Sequence, residues 1–204
     1  MPVVQGAELR SEDLARLTED LPLARGLGRA YGDAALPAPN DRLIAGTTLA
    51  DRILSFDPDT GVLTAEGGLS LDELCRLFLP RGFFTPVSPG TRFVTLGGMV
   101  ACDVHGKNHH REGTFGRHVL SLTVRTGAGD VVRCSPDEHD DLFHATIGGM
   151  GLTGVILTVT LLLARVPSMA IVEESERAED IDQSLDALKS ASAQWPMTAG
   201  WIDC

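Results

Sequence analysis

Residues 89–110 read PGTRFVTLGGMVACDVHGKNHH, and the interpretation of the whole chain depends on this stretch. Thr95 precedes an apolar run, so its side-chain oxygen is placed to cap the N-terminus of a helix. Gly97 and Gly98 remove side chains from the first turn of that helix and would let a ligand approach the backbone. The stretch therefore predicts a helix start that faces a bound molecule.

The segment from Cys102 to His110 is the densest in chemically active side chains. Cysteine and histidine bind metals, but structural zinc takes paired ligands from two separated places, and the sequence has no second pair. The adjacent His109 and His110 cannot easily face one ion, so we expect no metal. The other interpretation is a loop in which His105 and Lys107 offer donors to a bound ring or an anionic substrate. His109 and His110 are then solvated or structural.

A second glycine-rich segment, GLGRAYGD at residues 26–33, lies nearer the N-terminus. Glycine allows positive φ and leaves the backbone N–H groups unshielded, and consecutive amides of such a loop can wrap a pyrophosphate. Arg25 and Arg29 would assist. The alternative is an irregular loop without a ligand. Two amide-rich loops in one small domain indicate one extended ligand with phosphates in its middle.

A third cluster, GMGLTG at residues 149–154, matches the pattern G-x-G-x-x-G. A dinucleotide fingerprint must follow a strand and open a helix. Here a helical segment precedes the glycines and a β-branched strand follows them, so we predict a turn that enters a strand. The pattern GxxxxGK[ST] is absent from the sequence, which excludes a P-loop nucleotidase.

Composition narrows the class of protein further. The chain has 204 residues, 43% of them hydrophobic, and a net charge of -11. These values fit one domain, or one domain with a piece of a second, and exclude a disordered chain or a general nucleic-acid binder. No apolar run is long enough for a membrane helix, and the N-terminus lacks secretory-signal features, so we expect a cytoplasmic protein. We also expect four reduced core thiols, at Cys75, Cys102, Cys134 and Cys204.

Apolar periodicity and turn residues predict alternating strands and helices. Helices are predicted over 11–19, 71–79 and 140–145, and strands over 22–24, 43–45, 53–56, 62–66, 120–126, 131–134 and 155–166. Ser70 and Glu73 fit a capping box. After Pro167 the composition changes, and a strand over 169–172, a helix through Ile181, Leu185 and Leu188, and a strand over 197–202 are predicted. We therefore divide the chain into residues 1–167 and an incomplete second domain, 168–204.

Three stretches together resemble a known family. RGLGRAYGDAAL at 25–36, the stretch at 89–110, and IGGMGLTGVI at 147–156 are similar to motifs of the FAD-linked oxidases with a vanillyl-alcohol-oxidase (PCMH) type flavin domain. The similarity is greatest to the branch that oxidises a polyprenylphosphoryl sugar, and lower to the sugar-lactone and alditol oxidases. The resemblance implies an α+β fold, namely a two-subdomain PCMH-type FAD-binding domain with the start of a truncated substrate (cap) domain.

The resemblance also implies where FAD would bind. The pyrophosphate would lie on residues 26–33 and 90–98, Cys102 and His105 would line the flavin, and residues 151–156 would hold the adenine–ribose half or the neighbouring backbone. Lys107 and Tyr31 would face the substrate edge, as catalytic candidates. The implied cofactor-binding residues are Gly26, Leu27, Gly28, Arg29, Ala30, Tyr31, Gly32, Asp33, Gly90, Thr91, Thr95, Gly97, Gly98, Cys102, His105, Gly106, Gly151, Gly154 and Ile156. Covalent relatives carry a histidine where this chain has Ala30, so non-covalent FAD is expected.

The implied activity is that of a FAD-dependent oxidoreductase that oxidises a sugar or polyprenylphosphoryl-sugar hydroxyl by hydride transfer to flavin. Family members are longer, so this chain would hold mainly the FAD-binding part. A C-terminal domain or a second chain would complete the site for a small-molecule or lipid-linked sugar. Two other interpretations stay open: a non-catalytic flavin-binding module or truncated remnant, and a metal-binding protein that uses Cys102–His110.

Overall fold

The computed structural model describes residues 4–38 and 43–203, and its fold is α+β. The N-terminal elements are β1 (Ala7–Arg10), α1 (Leu14–Leu17), β2 (Ala24–Arg25) and β3 (Leu43–Gly46). The middle elements are β4 (Ile53–Phe56), β5 (Val62–Glu66), α2 (Leu71–Phe78), β6 (Phe83–Phe84), α3 (Leu96–Ala101) and α4 (His109–Glu112). The remaining elements are β7 (Val119–Thr126), β8 (Val131–Cys134), α5 (Asp140–Thr146), β9 (Gly154–Leu162), β10 (Ala164–Arg165) and α6 (Ile181–Gln194). Short 3-10 helices span Leu79–Arg81 and Phe115–His118.

The largest sheet has five antiparallel strands in the order β4-β5-β9-β7-β8. Its first hairpin has the predicted boundaries, because the turn between the strands is determined locally. The carboxylate of Asp57 accepts hydrogen bonds from Asp59 N (2.9 Å) and Thr60 Oγ1 (2.7 Å), and these bonds lower the pKa of Asp57. Gly61 closes the turn with φ +80°, a conformation that favours glycine.

Strand β9 contributes to two separate cores. Its residues Ile156, Val159 and Leu161 belong to the main core, together with buried side chains of α2 and α3. Its residues Val155 and Leu157 belong to a smaller core that is completed by Leu14 of α1, Ala50, and the partly buried Ala15, Leu17 and Ala24. The five-stranded sheet therefore packs directly against the N-terminal segment.

That N-terminal segment is built on a parallel sheet in the order β1-β3-β2. Helix α1 precedes β2 and is shorter than the predicted helix over 11–19. Asp13 caps its start by accepting from Arg16 N (3.0 Å), and the hydroxyl of Thr18 donates back to Leu14 O (2.8 Å). Such a side-chain bond competes with helix propagation, and Pro22 follows shortly afterwards.

Two predicted helix caps and most predicted strands are confirmed. Ser70 caps α2 by accepting from Glu73 N (3.1 Å), and Thr95 caps α3 by accepting from Gly98 N (3.3 Å). The single strand predicted over 155–166 is divided, because the chain leaves β9 after Leu162 and forms β10, which pairs with β6.

The C-terminal segment contains one helix and no strand within the described residues. Asp180 caps α6, and the helix ends at Trp195-Pro196 as predicted. The strands predicted over 169–172 and 197–202 are wrong, because no described strand lies beside either segment to accept its hydrogen bonds. The division of the chain at residue 167 stays a prediction.

Candidate functional site

The first glycine loop, residues 26–33, begins where β2 ends. Hydrogen bonds from Ala45 N to Leu23 O (2.9 Å) and from Thr47 N to Arg25 O (3.0 Å) fix the entrance to this loop. Beyond Arg25, Gly28 turns the chain with φ +64°. Among the described residues, no backbone amide of 26–33 donates to a protein atom. The loop therefore presents the unpaired N–H groups that phosphate oxygens require.

The side chains of this loop comprise one cation, Arg29, and one carboxylate, Asp33, and they leave its surface accessible. The guanidinium of Arg29 donates to Leu27 O at 3.0 Å and Gly28 O at 3.5 Å, so it lies across its own loop. Ala30 is half-buried, and the side chain of Tyr31 is fully exposed. Gly32 and Asp33 are also exposed.

The start of α3 has a different hydrogen-bonding state. Leu96 N donates to Leu69 O (2.9 Å), Gly97 N donates to Gly67 O (2.8 Å), and Gly98 N donates to the cap on Thr95. A Cβ at Gly97 would lie 3.1 Å from Gly67 O, so glycine is needed here for two backbones to pack together. The predicted helix start is present, but the protein itself uses its first amides.

The two loops meet. A Cβ on Gly26 would collide with the side chain of Thr95, so the first loop packs against the cap of α3. A cavity of about 210 Å³ lies at this junction, bordered by Leu27 of the first loop and by Phe93, which precedes Thr95. The other lining residues are Thr48, Asp51, Gly68, Ser70, Asp72 and Glu73. The two loops therefore border one cavity.

The sequence interpretation did not identify these lining residues. Phe93 is a partly exposed aromatic residue between two glycine-rich segments. This position was the one feature of the sequence that could have indicated a role for Phe93 in lining the cavity. Asp72 forms ion pairs with Arg92 (2.8 Å) and Arg76 (3.6 Å), whereas Asp51 and Glu73, the other carboxylates of the cavity, form no ion pair within the described part of the chain. Their charge favours placing a diphosphate on the loop amides rather than inside the cavity.

Two arginines fix the segment that contains α1 against the five-stranded sheet. Arg125 of β7 donates to Ala15 O (2.6 Å) and to Thr18 Oγ1 (3.1 Å), and its side chain is only 11% exposed. Arg52 forms an ion pair with the buried Glu66 (2.6 Å) and donates to Glu12 O (3.4 Å). The hydrogen bond to Glu66 and its charge raise the pKa of Arg52. These contacts join residues distant in sequence, so the sequence pattern carried no signal for them.

The loop after α3 is fixed by close backbone packing at Gly106 and by the buried side-chain amide of Asn108. Asn108 is buried and donates to Pro86 O (2.7 Å), while a Cβ on Gly106 would collide with Ser88 O. The loop that holds Lys107 is therefore packed against the loop that holds Gly90 and Thr91. Gly90 itself is exposed and has open space around it.

The side chains of this loop point outward. His105, Lys107, His109 and His110 are all exposed. The rings of His105 and His109 lie 5.8 Å apart, and those of His109 and His110 lie 6.0 Å apart. Within residues 4–38 and 43–203, no three His, Cys, Asp or Glu side chains converge as a metal site would require.

The cysteines differ from one another. Cys134 is a buried core thiol as expected, and Cys75 is half-buried. Cys102 is exposed, so the expectation of a core thiol there is wrong: it stands at the C-terminal cap of α3, where the helix leaves the core. Partial desolvation of the sulfur raises the pKa of the Cys102 thiol. Cys204 lies outside the described residues.

The third glycine cluster is a turn between α5 and β9. A helix precedes the glycines and a strand follows them, so the predicted turn that enters a strand is confirmed; this order is the reverse of a dinucleotide fingerprint. Gly151 is exposed, whereas a Cβ on Gly154 would collide with Arg125 O. The side chain of Ile156 is buried in the main core, so this residue can reach a ligand only through its backbone.

Taken together, the fold and the loop geometry define an α+β domain in which a glycine loop with unpaired amides lies beside a small cavity. Comparison with known proteins agrees with this class. The FAD binding domain family matches residues 14–135, more than half of the chain, and the chain belongs to this family. The resemblance inferred from the motifs is thereby confirmed.

Several curated relatives support the assignment. Over 183 residues the chain is 39% identical to decaprenylphosphoryl-beta-D-ribose oxidase of Mycolicibacterium smegmatis, covering 89% of this chain and 39% of that protein. It is 33% identical to a mitochondrial D-2-hydroxyglutarate dehydrogenase of Bos taurus, over 63% of this chain and 25% of the relative. It is 28% identical to L-gulonolactone oxidase 3 of Arabidopsis thaliana, over 64% of this chain and 24% of the relative. The chain thus spans about two-fifths or less of these relatives. Within the described residues, no helix has the length and apolar character needed to cross a membrane.

Proposed function

We propose that this chain is the FAD-binding part of an oxidoreductase that oxidises a hydroxyl of a sugar or a polyprenylphosphoryl sugar. One observation carries the proposal: the amides of residues 26–33 have no described protein acceptor and lie against Thr95, at the edge of the cavity. Unpaired N–H groups on a glycine loop suit a pyrophosphate. The name of the Mycolicibacterium smegmatis relative, decaprenylphosphoryl-beta-D-ribose oxidase, supports the substrate class.

The residues of the two loops are suited to FAD, and each loop would make a different contribution to its binding. The first loop would hold the pyrophosphate through its amides, with Arg29 adding charge, and the exposed Gly90 and Thr91 would complete the second side. Because the first amides of α3 already donate within the protein, Gly97 and Gly98 would contribute close approach rather than hydrogen bonds. Ala30 offers no nucleophile to the flavin, so the cofactor would be non-covalent.

The remaining predicted contacts are also proposals. Cys102, His105 and Gly106 would line the flavin, and the backbone of Gly151, Gly154 and Ile156 would support the adenine–ribose half. When bound, FAD supplies the acceptor for the hydride of the alcohol carbon. Lys107 has no described carboxylate partner, so its ammonium would hold positive charge at the substrate edge. The exposed phenol of Tyr31 would hydrogen-bond to the substrate hydroxyl.

Flavin content and reduction test the proposal in sequence. Purified protein should be yellow or should quench FAD fluorescence on titration, and acid precipitation should release the flavin into the supernatant. A colourless protein that does not bind added FAD would refute the proposal. Anaerobic addition of candidate sugars should bleach the flavin when the substrate site is complete. Bound FAD that is never bleached, even in a protein as long as the relatives, would favour the non-catalytic flavin-binding module.

A further inference from the structure

Helix α3 ends on an aspartate whose backbone adopts a conformation typical of glycine. Asp103 has φ +40°, in the left-handed region, where aspartate is tolerated but glycine is favoured. Its N–H donates to Val100 O (3.0 Å), and the N–H of Val104 donates to Met99 O (3.1 Å). These two bonds form a Schellman motif, whose left-handed position is most often occupied by glycine. The aspartate therefore departs from the local preference.

Two other helices of the described chain end on glycine. Gly82 follows the 3-10 helix Leu79–Arg81 with φ +79°, and Gly113 follows α4 with φ +72°. His139 also has a positive φ, of +51°, but its side chain does not cap α5, which it precedes. A strained residue whose side chain has a specific partner is a candidate for a functional role, and Asp103 has such a partner.

The carboxylate of Asp103 joins the end of α3 to the 3-10 helix before β7. Its Oδ1 accepts from Gly116 N at 2.8 Å, and this hydrogen bond is partly buried. The neighbouring backbone continues the contact, because Phe115 N donates to Val104 O at 2.8 Å. Glycine in place of Asp103 would relieve the left-handed conformation but would leave Gly116 N without this acceptor. The side chain thus explains why an aspartate stands here.

The end of α3 is also held by the glycine turn between α5 and β9. Gly148 N donates to Val100 O (3.0 Å), and Met150 N donates to Ala101 O (2.8 Å). The last carbonyls of the helix therefore receive hydrogen bonds from a segment distant in sequence. A strained conformation persists when its surroundings fix it from several sides, and Asp103 lies at such a junction.

This junction is adjacent to the residues expected to line the flavin. Cys102 stands directly before Asp103 and His105 stands two residues after it, and both of these side chains are exposed. His105 forms a β-bridge with Thr114, which extends the contact that Asp103 begins. A change in the backbone conformation of Asp103 would therefore redirect both exposed side chains.

We propose that Asp103 is a positioning residue for the cofactor. Its carboxylate, bonded to Gly116 N, fixes the backbone turn that directs Cys102 and His105 towards the flavin. Within the described residues Asp103 forms no ion pair, so its acceptor oxygen, rather than its charge, carries this role. The inference rests on the proposed function, which gives Cys102 and His105 their place beside the flavin.

Three variants separate positioning from stability and from charge. Asp103→Gly removes the acceptor but relieves the left-handed conformation, so the melting temperature of the apoprotein should change by less than about 2 °C. It should nevertheless bind FAD about tenfold more weakly. The visible circular dichroism of the bound flavin, which reports the groups placed around the ring, should also change. Asp103→Asn keeps Oδ1 and tolerates the left-handed region, so it should retain the wild-type FAD affinity and dichroism.

The matched control is His139→Gly. It makes the same kind of change, from a residue with positive φ to glycine, at an exposed position that no described hydrogen bond links to α3. FAD affinity and the dichroism of the bound flavin should therefore be unchanged in this variant.

Three results would overturn the proposal. The first is an unchanged FAD affinity and flavin dichroism in Asp103→Gly. The second is an equal loss in Asp103→Gly and Asp103→Asn, which would assign the effect to charge. The third is an Asp103→Gly protein that does not fold or that melts more than about 5 °C below the wild type, which would assign the residue to stability. Wild-type protein that binds no FAD would refute the proposed function as well, whereas an unaffected variant beside a flavin-loaded wild type refutes this inference alone.

Discussion

The first glycine loop and the start of α3 both contain closely spaced glycines, but their backbone amides have opposite hydrogen-bonding states. In residues 26–33 no amide donates to a described protein atom, whereas Leu96, Gly97 and Gly98 all donate to protein acceptors. Both segments use a glycine for close packing, Gly26 on Thr95 and Gly97 on Gly67, so packing alone does not separate them. The comparison teaches that the acceptors of the amides, rather than the number of glycines, distinguish a ligand-binding loop from a packed one.

The largest effect is expected on the packed side of this comparison. In Gly68→Ala the new Cβ would collide with the carbonyls of Thr47 and Ala50, so the free energy of unfolding should fall by about 3 kcal/mol. Urea denaturation measures the change. Gly32→Ala in the first loop is the control: nothing lies within 4 Å of its Cβ, and its stability should change by less than about 0.5 kcal/mol. Equal free energies of unfolding for the two variants would show that the packed glycine and the exposed glycine contribute equally to stability, which contradicts the comparison.

The next largest effect concerns the attachment of the free loop. Arg125→Ala removes charge-assisted hydrogen bonds to Ala15 and Thr18 from a nearly buried side chain, and should cost about 2 kcal/mol of stability. FAD affinity, measured by fluorescence quenching below the unfolding transition, should fall as α1 and the loop lose their support. Arg133→Ala should change neither quantity. Full FAD affinity in Arg125→Ala would show that the loop holds its place without α1.

Removal of the loop's own cation should alter binding rather than folding. Arg29 is exposed and contacts only Leu27 and Gly28 in the described structure, so Arg29→Ala should leave the free energy of unfolding unchanged. FAD affinity should weaken about tenfold, or about 1.4 kcal/mol, through loss of a charge near the pyrophosphate. Titration of the apoprotein with FAD provides the measurement. An unchanged dissociation constant would exclude Arg29 from the binding site.

The smallest effect tests the packed loop against the same ligand. Thr95→Ala loses the cap on Gly98 and should lower the free energy of unfolding by about 1 kcal/mol. Because the neighbouring amides donate within the protein, FAD affinity should fall less than it does in Arg29→Ala. Both variants belong in one FAD titration series. A greater loss in Thr95→Ala would place the main phosphate contacts on α3 instead of the first loop.

Features that depend on neighbouring residues were predictable from the sequence. The strands β4 and β5 were predicted with their observed bounds because the turn at Asp57–Gly61 is fixed by its own side chains and by one glycine. The caps at Ser70 and Thr95 follow from the same local chemistry. Similarly, the order of segments around residues 149–154 was sufficient to predict a glycine turn that enters a strand.

Features that depend on distant partners were not predictable. The apolar residues of 169–172 and 197–202 fit strands, but a strand needs a neighbour, and the pattern within a segment does not show whether one exists. The same reason applies to the candidate site. The loops at residues 26–33 and 89–110 were identified, whereas the donation of Gly97 N to Gly67 O and the contacts of Arg125 with α1 join segments far apart in the chain.

Strand β9 has a consequence for how the protein melts. Residues of β9 contribute to both hydrophobic cores. The N-terminal segment and the five-stranded sheet therefore pack on the same strand. Neither side can come apart while the other keeps its full complement of buried residues, so the two behave as a single cooperative unit. Heat or denaturant should therefore unfold the first glycine loop and the large sheet in one step, and a ligand bound to the loop should stabilise both.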